Sequence, residues 1–536
     1  MSKPAPPRSA LNTFLALYLV LPLITLLSWI FKNPSVEKYL ASCGVLYFSD
    51  VPGSFVPEFL KGNGPAQYVS GLYERLKVDK SYLGGFTLFN KTYYVTRDPG
   101  LIREICVKDV TQIERTESTL SFAGDYIISK SLVYLQGDHW KKTRAKFDRG
   151  FTPSKIKHNF AQINHVGRNL VEYFNHEMDP AGSLVCDLNL PIHKYSLDVV
   201  ASVTLNLDTV CLKTREPSRF EQISDRVYTS FDKFTDWVKP MFILWLPRVT
   251  NYFRVTIMDK EIGTFYGDVA QAKIQSEGGA GKKNLNDFVH LIHSSYKELY
   301  GREAIGRGAN GRGAIGREAI GRGANGREED EKDFIISNLY TLVLTGYETT
   351  EVVLAMCAYE LALNPNVQRR LRDEIKDVLG DEFTYDGVCG MTYLDMVIHE
   401  TLRMYPPLGM VPRVCIQEYA VPNSKVILRP GDSVILSIHG FQRDEEYHPN
   451  PDVFDPDRFS TENRSTTEFA YFPFGHGVRM CIGMRIALLE VKLGVCHIVQ
   501  NFELAATPET LVPMRIPASM TTARPENVVL SLTKIG

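Results

Sequence analysis

No Cys-x-x-Cys pair occurs in this 536-residue chain, whose nine cysteines are odd in number and scattered. A disulfide scaffold or a zinc ribbon needs clustered, paired thiols, so both are excluded and a reducing compartment is expected. Net charge is equally scant, with 60 Lys and Arg against 62 Asp and Glu. That balance excludes a whole-molecule attraction to nucleic acid or anionic lipid. Hydrophobic residues form 44% of the chain, too many for a disordered one. Long apolar runs are nearly absent. The exception is residues 11–31, 21 residues without a charge between Arg8 and Lys32. At 1.5 Å per residue they make about 31 Å of helix, enough to cross a bilayer core and longer than the apolar part of a signal peptide. The predicted organisation is a transmembrane anchor over 1–32, a turn-rich linker over 33–72 and one large body over 73–536. Lys3 and Arg8 face Lys32 and Lys38 across the span, so flanking charge does not orient it. Reduced cysteines favour a cytosolic body, which would leave the sequons at Asn90 and Asn463 unglycosylated.

Within the body, residues 85–95 read as a hairpin of aromatic and β-branched runs around Asn90-Lys91. Helical periodicity dominates from about Phe151, with a long buried helix over 334–360 and an amphipathic one over 366–379. Strand signals return over 426–438 and near the C-terminus. Residues 301–327 repeat Gly-Arg every five residues and three times match G-x-G-x-x-G. The match lacks the strand and helix a dinucleotide site requires. The six arginines are followed by Glu328-Glu329-Asp330-Glu331, and the segment is expected to be an inserted linker; binding of anionic partners is the alternative.

The segment Phe472-Pro-Phe-Gly-His-Gly-Val-Arg-Met-Cys-Ile-Gly483 brackets one cysteine with glycines just before a helical pattern. Free N–H groups at a helix start stabilise a thiolate, an anion suited to a metal. An inert buried thiol is the plainer reading. The spacing of Phe474, Gly477, Arg479, Cys481 and Gly483 resembles the haem-binding signature of the cytochrome P450 superfamily. The resemblance implies a mainly α fold with small peripheral β-sheets and a haem b held by Cys481 as axial iron ligand. Three further motifs fall in the family's order. Trp140 to Arg144 resembles its W-x-x-x-R helix, and with Arg479 and Arg413 these side chains are implied as haem-propionate partners. Glu400 and Arg403 resemble E-x-x-R, completed by Arg458 of Pro456-Asp-Arg-Phe459 into a structural cluster, with Asp457 departing from the usual Glu. Thr392 and Asp395 read as a capping box opening that helix, and Pro406-Pro407 as its stop.

Thr345-Gly-Tyr-Glu-Thr-Thr350 resembles the family's oxygen-activating helix. The glycine and hydroxyls are expected to loosen the helix beside the iron, while Thr349 and Glu348 would pass protons during O–O cleavage. The plainer reading is hydroxyls bonded back to carbonyls one turn earlier. Long stretches are similar to the animal microsomal clan of vertebrate drug oxidases and insect detoxification enzymes, which implies lipophilic substrates. Phe122, Tyr347, Leu408, Val411 and Ala518 are substrate-lining candidates by family position, and residues 241–246 a membrane-facing segment. No flavin or nicotinamide site is present, so NADPH-cytochrome P450 reductase, with cytochrome b5 as a possible second donor, is the implied electron source. Lys141, Lys142 and Lys146 are candidate docking residues. The expectation is a monooxygenase of the endoplasmic reticulum membrane, single-pass, using O2 and no nucleic acid. A reductase-independent haem-thiolate isomerase and a non-catalytic haem-binding protein are the alternatives.

Overall fold

The computed structural model describes residues 34–535 except 52, 55–57, 59–62, 89–90, 115–124, 230–249, 251, 254, 257, 277–287, 301–323, 381, 464–467 and 518–521. The anchor, the 241–246 segment and nearly all of the Gly-Arg repeat lie outside them. No described helix is long and apolar enough to cross a membrane.

Ordered structure begins well before residue 73, which corrects the expected linker. Helix α1 (Pro34–Ser42) leads into strand β1 (Leu46–Tyr47), and α2 spans Pro65–Asp79. Leu40, Phe48, Val51 and Leu72 of this stretch are buried in one apolar cluster with the sheet, so the turn residues punctuate packed structure. The expected hairpin is formed by β2 (Leu83–Leu88) and β3 (Lys91–Thr96), paired antiparallel from Leu83–Thr96 to Leu88–Lys91. With β4 (Ile113–Glu114), β6 (Met410–Cys415) and β9 (Ser433–Ser437) they form a six-stranded sheet ordered β1-β2-β3-β9-β6-β4. Strands β5 (Ser183–Asp187), β10 (Phe502–Ala506) and β11 (Val529–Lys534) make a second sheet. A two-stranded ribbon joins β7 (Tyr419–Ala420) to β8 (Ile427–Leu428).

Helices make up the rest of the body: α3 (Gly137–Phe147), α4 (Pro153–Glu177), α5 (Asn189–Val200), α6 (Lys260–Ser276), α7 (Phe288–Tyr300), α8 (Ala324–Leu363), α9 (Pro365–Leu379), α10 (Thr392–Met404), α11 (Ile438–Gln442) and α12 (Met484–Asn501). The 40-residue α8 is about 60 Å long and packs against α5, α6, α7, α10 and α12. From Phe334 onward it is apolar on nearly every side because helices surround it. Gly346 sits where α8 crosses α5; a Cβ there would come within 2.6 Å of Val200, so the crossing requires glycine.

The start of α10 is built differently from the capping-box expectation. Thr392 makes no cap, and Asp395 pairs with Lys492 at 2.7 Å. The free N–H groups of Tyr393 and Leu394 donate to Glu374 of α9, at 2.7 and 2.8 Å. A carboxylate from a neighbouring helix satisfies the helix start that a local side chain was expected to satisfy.

Candidate active site

The loop before α12 is folded by its own backbone. Gly475 N–H donates to Phe472, Met480 N–H to Gly477 and Cys481 N–H to Phe474, all at 2.9–3.0 Å. Gly475 and Gly477 have φ of +73° and +72°. At Gly477 a Cβ would also overlap the Cys106 carbonyl oxygen, so only glycine lets the loop lie on the turn around Cys106. Gly483 caps α12, and Cys481 stands two residues before that cap. Its side chain is exposed and lines a cavity of about 280 Å³.

Trp140, Arg144, Arg413, Arg479, Phe474 and Gly483 line the same cavity, so residues spread over more than 340 positions meet. Arg144 donates to the Met480 carbonyl at 2.9 Å and pairs with Asp148 on its outer side. Arg479 donates twice to the Leu135 carbonyl at 3.1 Å, with its guanidinium 3.7 Å over the Trp140 ring. Arg413 is buried and donates to the Pro412 carbonyl at 3.0 Å. Among the described residues no carboxylate lies within ion-pair distance of Arg413. Burial of that cation without a counter-ion is costly. Three guanidiniums and a thiol on one cavity suit an anionic, metal-bearing ring. Among the described residues no cluster of three or more His, Cys, Asp and Glu could hold a bare metal ion. The residues therefore fit haem, which the arginines and the Cys481 thiolate would hold.

Helix α8 forms another wall through Thr345, Gly346, Thr349 and Thr350. The expected loosening is not found: α8 is continuous, and Thr345 and Thr349 donate to carbonyls four residues back at 2.7 and 2.9 Å. Glu348 faces away from the cavity and accepts from Thr522 at 2.7 Å, because successive helical residues point about 100° apart. Thr350 donates to Glu490 of α12 at 2.8 Å. Burial pushes the Glu490 carboxyl up to about 8, against the hydrogen bonds from Thr350 and Ser196. This link was missed, although an acid on the otherwise apolar face of α12 was a signal for it.

Of the substrate candidates, Leu408 and Val411 line the cavity. Tyr347 does not; it is buried against the edge of His193, with its hydroxyl directed to the Ser224 carbonyl. Its place on α8 turns it toward the helical core. Phe122 and Ala518 lie outside the described residues. Lys141 and Lys142 are exposed on α3, whereas Lys146 pairs with Glu298 of α7, which corrects its place in a free docking patch.

Behind the loop, Glu400 and Arg403 are fully buried and joined by two hydrogen bonds of 2.7 and 2.8 Å. Arg458 reaches the same carboxylate at 3.3 Å, and Asp455 N–H at 2.9 Å. Asp457 instead grips Arg370 of α9 through both oxygens, at 2.8 and 2.9 Å.

Residues 73–304 and 316–532 match the family described as Cytochrome P450. The chain belongs to that family. Cytochrome P450 6k1 of Blattella germanica is 28% identical to it, covering 87% of this chain and 86% of the relative. Cytochrome P450 9e2 of the same insect is 29% identical, covering 87% of each, and mouse cytochrome P450 3A16 is 27% identical, covering 82% of each. This P450 is therefore a haem monooxygenase, and as a member of its family it uses O2, a substrate and a redox partner.

Proposed function

We propose that this P450 inserts one oxygen atom from O2 into a lipophilic small molecule, with electrons from NADPH delivered by NADPH-cytochrome P450 reductase. The convergence of Cys481, three arginines and Thr349 on one cavity carries this reading. Cys481 holds the iron of haem b, while Arg144, Arg413 and Arg479, with Trp140, hold its propionates. The bound haem supplies O2 activation and electron storage, and the thiolate donates electron density that favours O–O cleavage. Thr349 is within the cavity and moves a proton at its Oγ1, once that hydroxyl turns from the Thr345 carbonyl. Glu348 feeds the relay from outside the cavity, through water rather than by direct contact. Leu408 and Val411 give an apolar substrate wall, which supports a lipophilic class.

Residues 11–31 anchor the enzyme in the endoplasmic reticulum membrane, with the body in the cytosol. No disulfide joins any of the nine cysteines, which supports a reducing compartment. Lys141 and Lys142 offer an acidic reductase its first contacts. The test is a reduced carbon monoxide difference spectrum followed by turnover of a lipophilic panel with added reductase. Oxygenated product that requires NADPH is expected; rearrangement of an organic peroxide with no need for NADPH would overturn the reading in favour of an isomerase.

A further inference from the structure

Three consecutive residues before β11 bond alternately to two walls of the Cys481 cavity. The Thr522 hydroxyl donates to Glu348 of α8 at 2.7 Å, the Ala523 N–H donates to the Pro407 carbonyl at 2.9 Å, and Arg524 Nε lies 3.3 Å from Glu351 of α8. Glu348 and Glu351 are three residues apart, so both carboxylates leave one face of the helix. That face is turned from the cavity, which Thr345, Thr349 and Val353 line from the other side of α8. Thr522, Glu348 and Glu351 are buried. Glu351 is gripped again from α5: His193 Nδ1 sits 2.6 Å from its second oxygen, and His193 Nε2 faces Asp225 of the helix Arg219–Thr229 at 3.4 Å. Burial opposes charge on that ring, but Glu351 and Asp225 raise it to about 9, so Glu351 stands between two cations at neutral pH. Moving a buried carboxylate away from such partners leaves charge unpaired in the core, so Glu351 is a fixed anchor.

Pro407, Leu408 and Val411, in the stretch that follows α10, line the same cavity as α8. We propose that Thr522, Ala523 and Arg524 form a clip, anchored on Glu348 and Glu351, that holds the Leu408 wall at a fixed distance from α8 and so makes the cavity select its ligands by bulk. None of these five residues lines the cavity, so they are positioning residues that act through Pro407 and Leu408. The physical lever is the short range of dispersion: a gap of about 0.5–1 Å forfeits roughly a quarter to a half of the attraction between two atoms. A ligand gripped by Leu408 and Val411 is sensitive to a wall displaced by that much, whereas a small ligand that reaches the iron alone is not. The clip rests on the reading of the Cys481 cavity as the haem and substrate site.

The test uses the full-length, haem-loaded protein and two iron ligands of different bulk, imidazole and 4-phenylimidazole, each titrated by its Soret shift. Imidazole reports on the iron, and 4-phenylimidazole on the iron and the apolar wall together. Arg524→Ala and Thr522→Val should each weaken 4-phenylimidazole severalfold and leave imidazole unchanged, so the ratio of the two affinities falls. Arg524→Lys, which keeps a cation for Glu351, should hold that ratio close to its value in the unaltered protein. A ratio unmoved in both Arg524→Ala and Thr522→Val, an equal loss for both ligands, or a Lys variant as impaired as the Ala variant overturns the clip. Those outcomes leave the imidazole Soret shift of the unaltered protein in place. Absence of that shift would instead remove the haem reading, and the clip with it.

Discussion

Two motifs on two helices of this P450 behave in opposite ways. Glu400 and Arg403 of α10, three residues apart, meet in a fully buried bidentate pair that Arg458 joins from another segment. Glu348 and Thr349 of α8 are adjacent in sequence and part company: Thr349 lines the Cys481 cavity, and Glu348 accepts from Thr522 outside it. Spacings of three or four residues place side chains on one helix face, whereas a spacing of one separates them. An E-x-x-R pair is thus a statement about contact. An adjacent acid and alcohol state only that both are near the same turn, and any joint action must pass through water or motion.

The largest expected effect is on the thiolate side. Cys481→Ser should abolish the thiolate-type Soret band of the reduced carbon monoxide complex, and an unchanged band removes Cys481 as the ligand. Next in size, Glu400→Ala leaves Arg403 buried without its partner, an expected loss of about 3–5 kcal/mol in urea unfolding. Arg458→Ala, at the partly exposed edge of the same cluster, should cost about 1 kcal/mol. Equal losses in the two variants would mean the cluster is not centred on the Glu400–Arg403 pair.

On α8 the expected effects are kinetic. Thr349→Ala should keep the Soret band and lower the product formed per NADPH severalfold, the electrons appearing as hydrogen peroxide; tight coupling in that variant would exclude Thr349 from proton transfer. Glu348→Gln should uncouple less, since its carboxylate faces Thr522. Matching uncoupling in both variants would show that the pair acts together despite facing apart.

The last expected effect is read as a slope against pH. Glu490 binds its proton more tightly folded than unfolded, with a folded pKa of about 8 against an ordinary value of 4.5. The folded state then holds the extra proton between those values, so stability falls as pH rises through this window, by up to about 1.4 kcal/mol per pH unit. Glu490→Gln should flatten that slope in denaturant titrations. The buried neutral rings of His439, His448 and His497, each lowered to about 4, act in the opposite sense, because stability is lost as pH falls from 6.5 toward 4. A slope that survives Glu490→Gln would place its origin in another group.

Much of the fold was legible in particular residues. The β2–β3 hairpin, the long α8 and the amphipathic α9 followed from hydrophobic period, because each element's buried face is written in its own residues. The early start of order at Pro34 was not legible, since Pro and Gly mark turns equally well in packed and unpacked chain. Nor was the capping of α10, where Glu374 arrives from a different helix.

By itself the sequence determined the family and the fold class and singled out one thiol, since five residues at fixed spacing around Cys481 constrain one local loop. The tertiary structure decided which distant side chains meet. It set Arg413, Arg144 and Arg479 around one cavity, turned Tyr347 and Glu348 away from it and tied Thr350 to Glu490. Those outcomes depend on how helices far apart in the chain cross and rotate, and packing of the whole body sets that rotation.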